Sequence, residues 1–315
     1  MLDTKIQTDT VPIGTSAPSM YRIFQEVLQA WRQHEKFLTQ RLQLMTTESI
    51  VFAEKLSKII LNIYPDRLTE LISGYKWMCE AVLEEELYFR RYHRYRLKNF
   101  EEALITVYSN TEVMLKYMDG LLLSQLLWSN HTAVLQYYAQ NFLQSIPEDF
   151  HLLEIGPGHG ILLYFATLVE KCESITGWDI SQSSLDFTKK TLSSLSETTK
   201  LKLEKQDIFK IESKQAFDVI VMSEILEHLE DPHLALSILK SNLAPRGKLF
   251  INVPCNSPAP DHIYLFKHPD DVFKLVSHSG YHIEHTEVYP ATGISLKRAL
   301  AQSLTTSVVV VATLK

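Results

Sequence analysis

A glycine-rich turn between an apolar strand and an amphipathic helix is the segment with the clearest capacity for ligand chemistry. It consists of Leu152-Leu-Glu154-Ile-Gly156-Pro-Gly158-His-Gly160. Glycines let the backbone turn sharply and let a ligand approach the main chain, which a Cβ would prevent. The turn alone is compatible with a dinucleotide, but the GxGxxG pattern is incomplete because residue 161 is isoleucine.

A second acid, Asp179, ends the next apolar run about twenty residues after the turn. Its two carboxylate oxygens can accept hydrogen bonds from both hydroxyls of a ribose. Dinucleotide enzymes use the same contact, so Asp179 alone does not identify the ligand. A helix cap is the alternative role for Asp179, although Ser181 is better placed to be that cap.

The third chemical group follows a later strand, in Ser223-Glu224-Ile-Leu-Glu227-His228. Glu224, Glu227 and His228 share one face if this segment is helical. His228 can act as a general base with Glu227 beside it, or these side chains can hold a divalent metal. His262, beside Asp261 in a proline-rich loop, can approach the same cleft as a further catalytic or ligating group. A purely structural role for the segment is the third interpretation.

Taken in order, these segments resemble the motifs of class I S-adenosylmethionine (SAM) dependent methyltransferases over about residues 150 to 255. The resemblance implies that Glu154 holds the methionine amino group and that Asp207 accepts from the adenine amino group. It also implies that Ile208 packs on the adenine ring. The implied SAM-binding residues are Glu154, Gly156, Gly158, Gly160, Asp179, Ile180, Asp207, Ile208 and Ser223.

The E-x-x-E-H pattern at positions 224–228 is similar to that of quinone-pathway O-methyltransferases and small-RNA 2′-O-methyltransferases. Both groups use such residues as metal ligands, and the RNA enzymes add a downstream histidine. This similarity implies a metal site formed by Glu224, Glu227, His228 and His262, in addition to SAM.

Hydrophobic periodicity changes near Pro147, where short β-branched runs begin to alternate with amphipathic stretches. We predict strands near 151–155, 174–178, 201–205, 217–221, 247–252, 281–289 and 305–314. We predict helices near 159–170, 182–195, 232–242 and 268–279. The fold class is therefore α/β, and the resemblance implies a seven-stranded Rossmann-like core, mostly parallel with an antiparallel last strand.

Three regions organise the chain: an arm over 1–20, a helical region over 21–146 and the SAM-binding core over 147–315. We expect the arm to be flexible or ordered by contact with the rest. One apolar stripe joins Phe24 to Met45, and another runs from Phe100 to Tyr117 in a helix capped by Asn99. The helical region is expected to be a lid, a substrate-recognition element or a dimer interface. Trp128, Asn130 and His131 are its pocket candidates.

The charge, the cysteine spacing and the length of the apolar stretches indicate which classes of partner the protein is expected to bind. The net charge of −6 does not favour a polyanion, so nucleic acid is not the first expectation. Three widely spaced cysteines without a CxxC pair fit a reducing cytoplasm, and no apolar stretch is long enough to cross a membrane. We expect a small-molecule acceptor, free or bound to a carrier, and leave a homodimer open.

The sequence thus predicts a biosynthetic methyltransferase that uses SAM to methylate a small metabolite at oxygen, nitrogen or carbon. A metal-assisted RNA 2′-O-methyltransferase is the alternative enzyme, because of the E-x-x-E-H segment and His262. A SAM-binding scaffold without catalysis is the alternative outside enzymes.

Overall fold

A computed structural model describes residues 7–8, 11–193, 201–211 and 215–315. Apart from a two-residue pairing of Gln7–Thr8 with Val11–Pro12, its first half is helical. The helices are α1 (Ile13–Ser16), α2 (Pro18–Ala30), α3 (Glu35–Gln43), α4 (Thr47–Ile63), α5 (Leu68–Tyr92), α6 (Phe100–Ala103), α7 (Thr111–Leu127) and α8 (Ser129–Tyr137). None of the helices in the described ranges is long and apolar enough to cross a membrane.

The second half alternates strands and helices, as the periodicity predicts. The strands are β1 (Phe150–Ile155), β2 (Cys172–Asp179), β3 (Leu201–Lys205), β4 (Phe217–Ser223), β5 (Leu243–Cys255), β6 (Tyr281–Pro290) and β7 (Thr306–Leu314). The helices are α9 (Ile161–Thr167), α10 (Gln182–Leu192), α11 (Pro232–Leu239), α12 (Pro269–His278) and α13 (Leu296–Ala301). Each predicted strand is present; residues 194–195 of the second predicted helix lie outside the described residues.

The seven strands form one sheet in the order β3-β2-β1-β4-β5-β7-β6. Strands β1 to β5 pair in parallel, whereas β7 runs antiparallel to both β5 and β6. The predicted fold class is confirmed. From β1 the chain adds β2 and β3 on one side and then β4 and β5 on the other, so the strand order reverses between β1 and β4. Ligands of such sheets bind at this point, beyond the carboxyl ends of the strands.

The helical half packs on one face of the sheet and shares its hydrophobic core. Phe142, at the end of the helical half, lies with its ring centroid 4.9 Å from that of Phe250 on β5. Asn130 on α8 donates a hydrogen bond of 2.9 Å to Ser307 on β7. Burial of this extensive apolar surface favours a fixed position of the helices over the sheet. The boundary at residue 147 stays a prediction.

Three local features differ from the sequence expectations. Residues 13–16 and 18–20 of the predicted arm are helical, which was not predicted, while the full burial of Ala17 and Met20 agrees with the alternative of an arm ordered by contact with the rest. Asn99 caps α6 as predicted, but a π-helical turn over Leu104–Tyr108 and a new cap at Asn110 interrupt the continuous stripe. Helix α13 was not predicted because six residues are too few to show a period. Residues 1–6 and 9–10 of the arm lie outside the described residues.

Candidate active site

A cavity of about 520 Å³ lies at the carboxyl ends of the parallel strands. Its floor is the glycine turn after β1 and the ends of β2 and β4, while α7 and the π-helical turn cover it from above. Most of the sequence-predicted site residues line it: Glu154, Gly156, Gly158, Asp179, Ile180, Asp207, Ile208, Ser223, Glu224, His228 and His262. Gly160 and Glu227 lie just behind the lining.

The glycine turn needs its glycines for conformation and for space. Gly156 has a φ of 64° and Gly158 a φ of 51°, values that L side chains rarely adopt. A Cβ at Gly156 would also collide with the side chain of Ile225. Gly160 precedes the first residue of α9, and a Cβ at this position would lie too close to Thr188. The turn therefore places bare backbone against the cavity.

Glu154 lies near the end of β1, and only one of its carboxylate oxygens lacks a hydrogen-bond partner among the described residues, since the backbone at Leu163 contacts the carboxylate. Its side chain is 2% exposed, and its Oε2 atom has no hydrogen-bond donor among the described residues. Burial, together with the negative charge of Asp179, raises the pKa of Glu154 well above its ordinary value. A buried carboxylate oxygen without a donor is costly, so a cationic donor arriving in the cavity would be strongly favoured here. The amino group of a methionine moiety is such a donor.

Asp179 is held rigidly at the end of β2. Its Oδ1 accepts from the backbone N–H of Ser181 at 2.8 Å, and its Oδ2 accepts from the Ser184 hydroxyl at 2.6 Å. Each oxygen retains a further lone pair for a ribose hydroxyl. Burial raises the pKa of Asp179. Ser181, as predicted, is the residue that caps α10.

Asp207 and Ile208 follow β3 at the far end of the cavity. Asp207 caps a short turn, its Oδ1 accepting from the Phe209 N–H at 2.9 Å, and its Oδ2 lies 3.3 Å from Lys210 Nζ. Ile208 is buried beside it. Their place on the wall fits the adenine contacts that the resemblance implies, and those contacts stay a prediction.

The segment after β4 is not an α-helix. Glu224 has a φ of 55°, and only Leu226–His228 forms a single 3₁₀ turn, so the i, i+3, i+4 face expected from the sequence does not exist. Glu224 instead turns towards β5, where Asn252 Nδ2 donates to its Oε1 at 2.8 Å. Burial raises the pKa of Glu224 to about 8. Glu224 therefore contacts Glu227 but is not one of the three side chains whose possible ligand atoms converge.

Glu227, His228 and His262 do converge, with one possible ligand atom from each within 4.8 Å of the others. His228 Nδ1 lies 3.1 Å from the carbonyl oxygen of Asp261, and His262 Nδ1 lies 2.6 Å from that of Ser257. Since a carbonyl only accepts, each Nδ1 carries its proton, which leaves each Nε2 with a free lone pair. These Nε2 atoms lie 3.6 Å and 4.0 Å from Glu227 Oε1.

The side chains of Glu227, His228 and His262 are of the types that bind a metal cation. Glu227 is fully buried, no cationic or hydroxyl side chain among the described residues donates to its carboxylate oxygens, and the acid Glu224 is the side chain within hydrogen-bond reach. Burial and the charge of Glu224 raise the pKa of Glu227 well above its ordinary value, while burial lowers that of His262 to about 4. A carboxylate and two imidazole lone pairs are ligands that a divalent transition metal or zinc accepts. The three side chains fit such an ion.

Contacts from the helical half complete the site, and sequence reasoning missed most of them. The Tyr108 and Tyr117 hydroxyls donate to Asp261 Oδ2 at 3.0 Å and Oδ1 at 2.7 Å. The Tyr95 ring packs edge-on against His262. Of the three pocket candidates near the end of α7, His131 lines this cavity, whereas Trp128 and Asn130 line a second cleft. Only the general expectation of a covering helical region pointed to these tyrosines.

The comparisons with known proteins agree with this geometry. A family model described as a methyltransferase domain matches residues 127–302, more than half of the chain. The chain belongs to this methyltransferase family. SAM is the methyl donor, and the unpartnered Glu154 oxygen and the glycine turn fit it.

Individual relatives of this methyltransferase are distant. The ubiquinone biosynthesis O-methyltransferase of Coxiella burnetii is 29% identical over 127 residues, which cover 40% of this chain and 52% of that relative. The methyltransferase thus spans about half the length of the curated relatives it matches. A SAM-dependent methyltransferase structure from Aquifex aeolicus is 18% identical, covers 65% of this chain and 99% of its own, and has a TM-score of 0.48. A structure of the N-methyltransferase NodS from Bradyrhizobium japonicum in complex with S-adenosyl-L-homocysteine (SAH) is 20% identical. The match covers 58% of this chain and 85% of NodS, with a TM-score of 0.45.

Proposed function

We propose that this protein transfers the methyl group of SAM to a small-molecule acceptor that is enclosed between the sheet and the helical half. The observation that carries the proposal is that Glu154, Asp179, Tyr117 and Met118 all line the same cavity. The first pair belongs to the sheet and fits the cofactor, whereas the second pair belongs to α7. An acceptor bound under α7 would therefore lie beside the methyl donor.

The residues accelerate the reaction mainly by alignment and by exclusion of water. SAM supplies a methyl group already activated by a sulfonium, so the protein has to hold the acceptor atom in line with it. Asp179 fixes the ribose end and Glu154 the amino-acid end, because hydrogen bonds immobilise the first carboxylate and burial immobilises the second. When no metal is bound, His228 Nε2 can use its free lone pair to take the proton that an acceptor hydroxyl or amine must lose; with a metal bound, the same lone pair would be a ligand.

The Coxiella burnetii relative, a ubiquinone biosynthesis O-methyltransferase, supports a place for this protein in small-molecule biosynthesis. We further propose that residues 21–146 form a lid that selects the acceptor, since Tyr108, Met118 and His131 reach the cavity from that region. A cytoplasmic location is proposed with it, because the three widely spaced cysteines fit a reducing compartment.

Methyl-labelled SAM tests the proposed function. The protein is incubated with labelled SAM and either the dialysable small molecules of a cell extract or total cellular RNA, each with Mg²⁺ or Mn²⁺. We expect label in a small molecule and none in RNA. Label in RNA would support the alternative enzyme, and label in neither pool, with a purified partner always bound, would support a scaffold.

We propose in addition that Glu227, His228 and His262 hold a divalent metal, which would polarise an acceptor oxygen and favour loss of its proton. The convergence of both Nε2 atoms on the buried Glu227 carboxylate supports this role. Glu224 was expected among the ligands, but its hydrogen bond from Asn252 removes it from our ligand set.

Glu227→Gln is expected to weaken Mn²⁺ binding by more than the roughly 10–100-fold that loss of an outer-shell partner costs. The reason is that glutamine removes the one charge among the three ligands. Glu224→Gln is the matched control, and it is expected to have a smaller effect. Titration of Mn²⁺ followed by electron paramagnetic resonance measures both variants. Equal losses in the two variants, or no Mn²⁺ binding by the unmodified protein, would contradict the assignment.

A further inference from the structure

The cavity has an acceptor end that the cofactor-binding residues do not occupy. Glu154, Asp179 and Asp207 mark the cofactor end along the strand termini. The wall that comes from the helical half is largely apolar, with the buried side chain of Met114 on it, and Met118 lies over the glycine turn at the cofactor end. An apolar wall at this end fits the body of an organic molecule.

The cavity lining that the structure describes contains several acidic side chains and no permanently cationic one. Carboxylic acids line it at the end of every central strand and on the loop after β5, but no lysine or arginine lines it among the residues that the structure describes. Burial lowers the pKa of His131 to about 3 and that of His159 to about 4, so both are uncharged near neutral pH. In the metal-free protein, an anionic acceptor would lose its hydration here without gaining a cationic side chain, which is costly.

Asp261 is the acidic side chain of the cavity lining that contacts the tyrosines of the helical half. It is 2% exposed, and each of its carboxylate oxygens already accepts one hydrogen bond from a tyrosine of the helical half, Tyr108 or Tyr117. The tyrosines therefore hold the carboxylate in one orientation. Its remaining lone pairs can only accept, so it is complementary to a hydroxyl or an ammonium group and not to a carboxylate or phosphate.

We propose that the acceptor is an uncharged or cationic molecule with a hydroxyl or amino group, and that Asp261 accepts a hydrogen bond from that group. The inference rests on the proposed function, since it assigns the acceptor of the same cavity. Asp261 is a specificity-determining residue in this account. Tyr108 and Tyr117 are positioning residues that act through it.

Three phenols of similar size and different charge test the proposal: tyramine, 4-hydroxybenzyl alcohol and 4-hydroxyphenylacetate. The protein is first titrated with SAH by calorimetry, and the saturated complex is then titrated with each phenol at neutral pH. Tyramine and the alcohol are expected to bind at least about ten times more tightly than the acid, a difference of roughly 1.4 kcal/mol. Failure to bind SAH would reject the proposed function itself.

With SAH bound, the phenol titrations judge the inference alone. Binding of 4-hydroxyphenylacetate as tightly as tyramine, or no binding by any of the three, would overturn it. Asp261→Asn is expected to retain SAH affinity and to reduce the preference for tyramine over the acid at least severalfold. Asp186→Asn, at an exposed aspartate of α10, is the control and should keep the preference. An unchanged preference in Asp261→Asn would remove Asp261 from the account.

Discussion

Asp179→Ala is expected to weaken SAM binding about 100-fold, because two hydrogen bonds to a charged group are lost at once. The carboxylate is already oriented by Ser181 and Ser184, so a ribose that binds it does not have to order a mobile side chain. Calorimetric titration with SAM measures the change.

Asp186→Ala is the matched control for this prediction. Asp186 follows Asp179 closely in the sequence and lies on the exposed face of α10. Among the hydrogen bonds of the described residues, its side chain accepts one, from Gln182. SAM affinity within about twofold of the unmodified protein is expected. If Asp179→Ala bound SAM as well as Asp186→Ala does, the ribose would have to lie elsewhere.

Glu227→Leu is expected to stabilise the metal-free protein while it abolishes metal binding. The buried carboxyl group of Glu227 faces another acid, Glu224, and no cationic or hydroxyl side chain among the described residues donates to it, so its removal recovers a desolvation cost of roughly 1–3 kcal/mol. Urea denaturation in the presence of EDTA measures the free energy of unfolding. Loss of Mn²⁺ binding is measured on the same preparation.

The stability gain should depend on pH. Burial raises the pKa of Glu227 in the folded state, so the folded protein retains a proton that the unfolded chain releases. The free energy of unfolding of the unmodified protein therefore falls as pH rises above 4.5, the ordinary value, and it continues to fall towards about 8, where the neighbouring Glu224 titrates. The variant should show a shallower fall.

Glu84→Leu, at an exposed glutamate of α5, is the control for the stability measurement. It should change neither the free energy of unfolding appreciably nor its pH dependence, since a solvated carboxylate has nearly the same environment in both states. A Glu227→Leu protein that was less stable than the unmodified protein in EDTA, with an unchanged pH slope, would show that the carboxyl group is satisfied.

The arrangement around the cavity of the residues that we assign to SAM could be predicted from sequence because its determinants are local. Gly156, Gly158 and Asp179 lie at the junctions of strands and turns, where a glycine or an acid has few structural explanations. The parallel sheet then brings those junctions to one edge. Strand periodicity therefore fixed both the fold class and the place of these residues.

The acceptor half could not be predicted because its contacts are distant in sequence. Tyr108 and Asp261 are separated by 153 positions, and nothing in the helical stripe distinguishes a tyrosine that faces a cavity from one that packs in the core. Glu224 was misplaced for a different reason. Its positive φ breaks the helical spacing that joined it to Glu227 and His228.

A crystal structure of the full chain with SAH tests the central claim most directly. The account predicts one SAH molecule in the cavity, with its amino group within hydrogen-bond distance of Glu154 and its ribose hydroxyls on Asp179. Mn²⁺ added to the same crystals should give anomalous scattering beside Glu227, His228 and His262. A cavity that stays empty at saturating SAH, or SAH bound away from Glu154 and Asp179, would contradict the account.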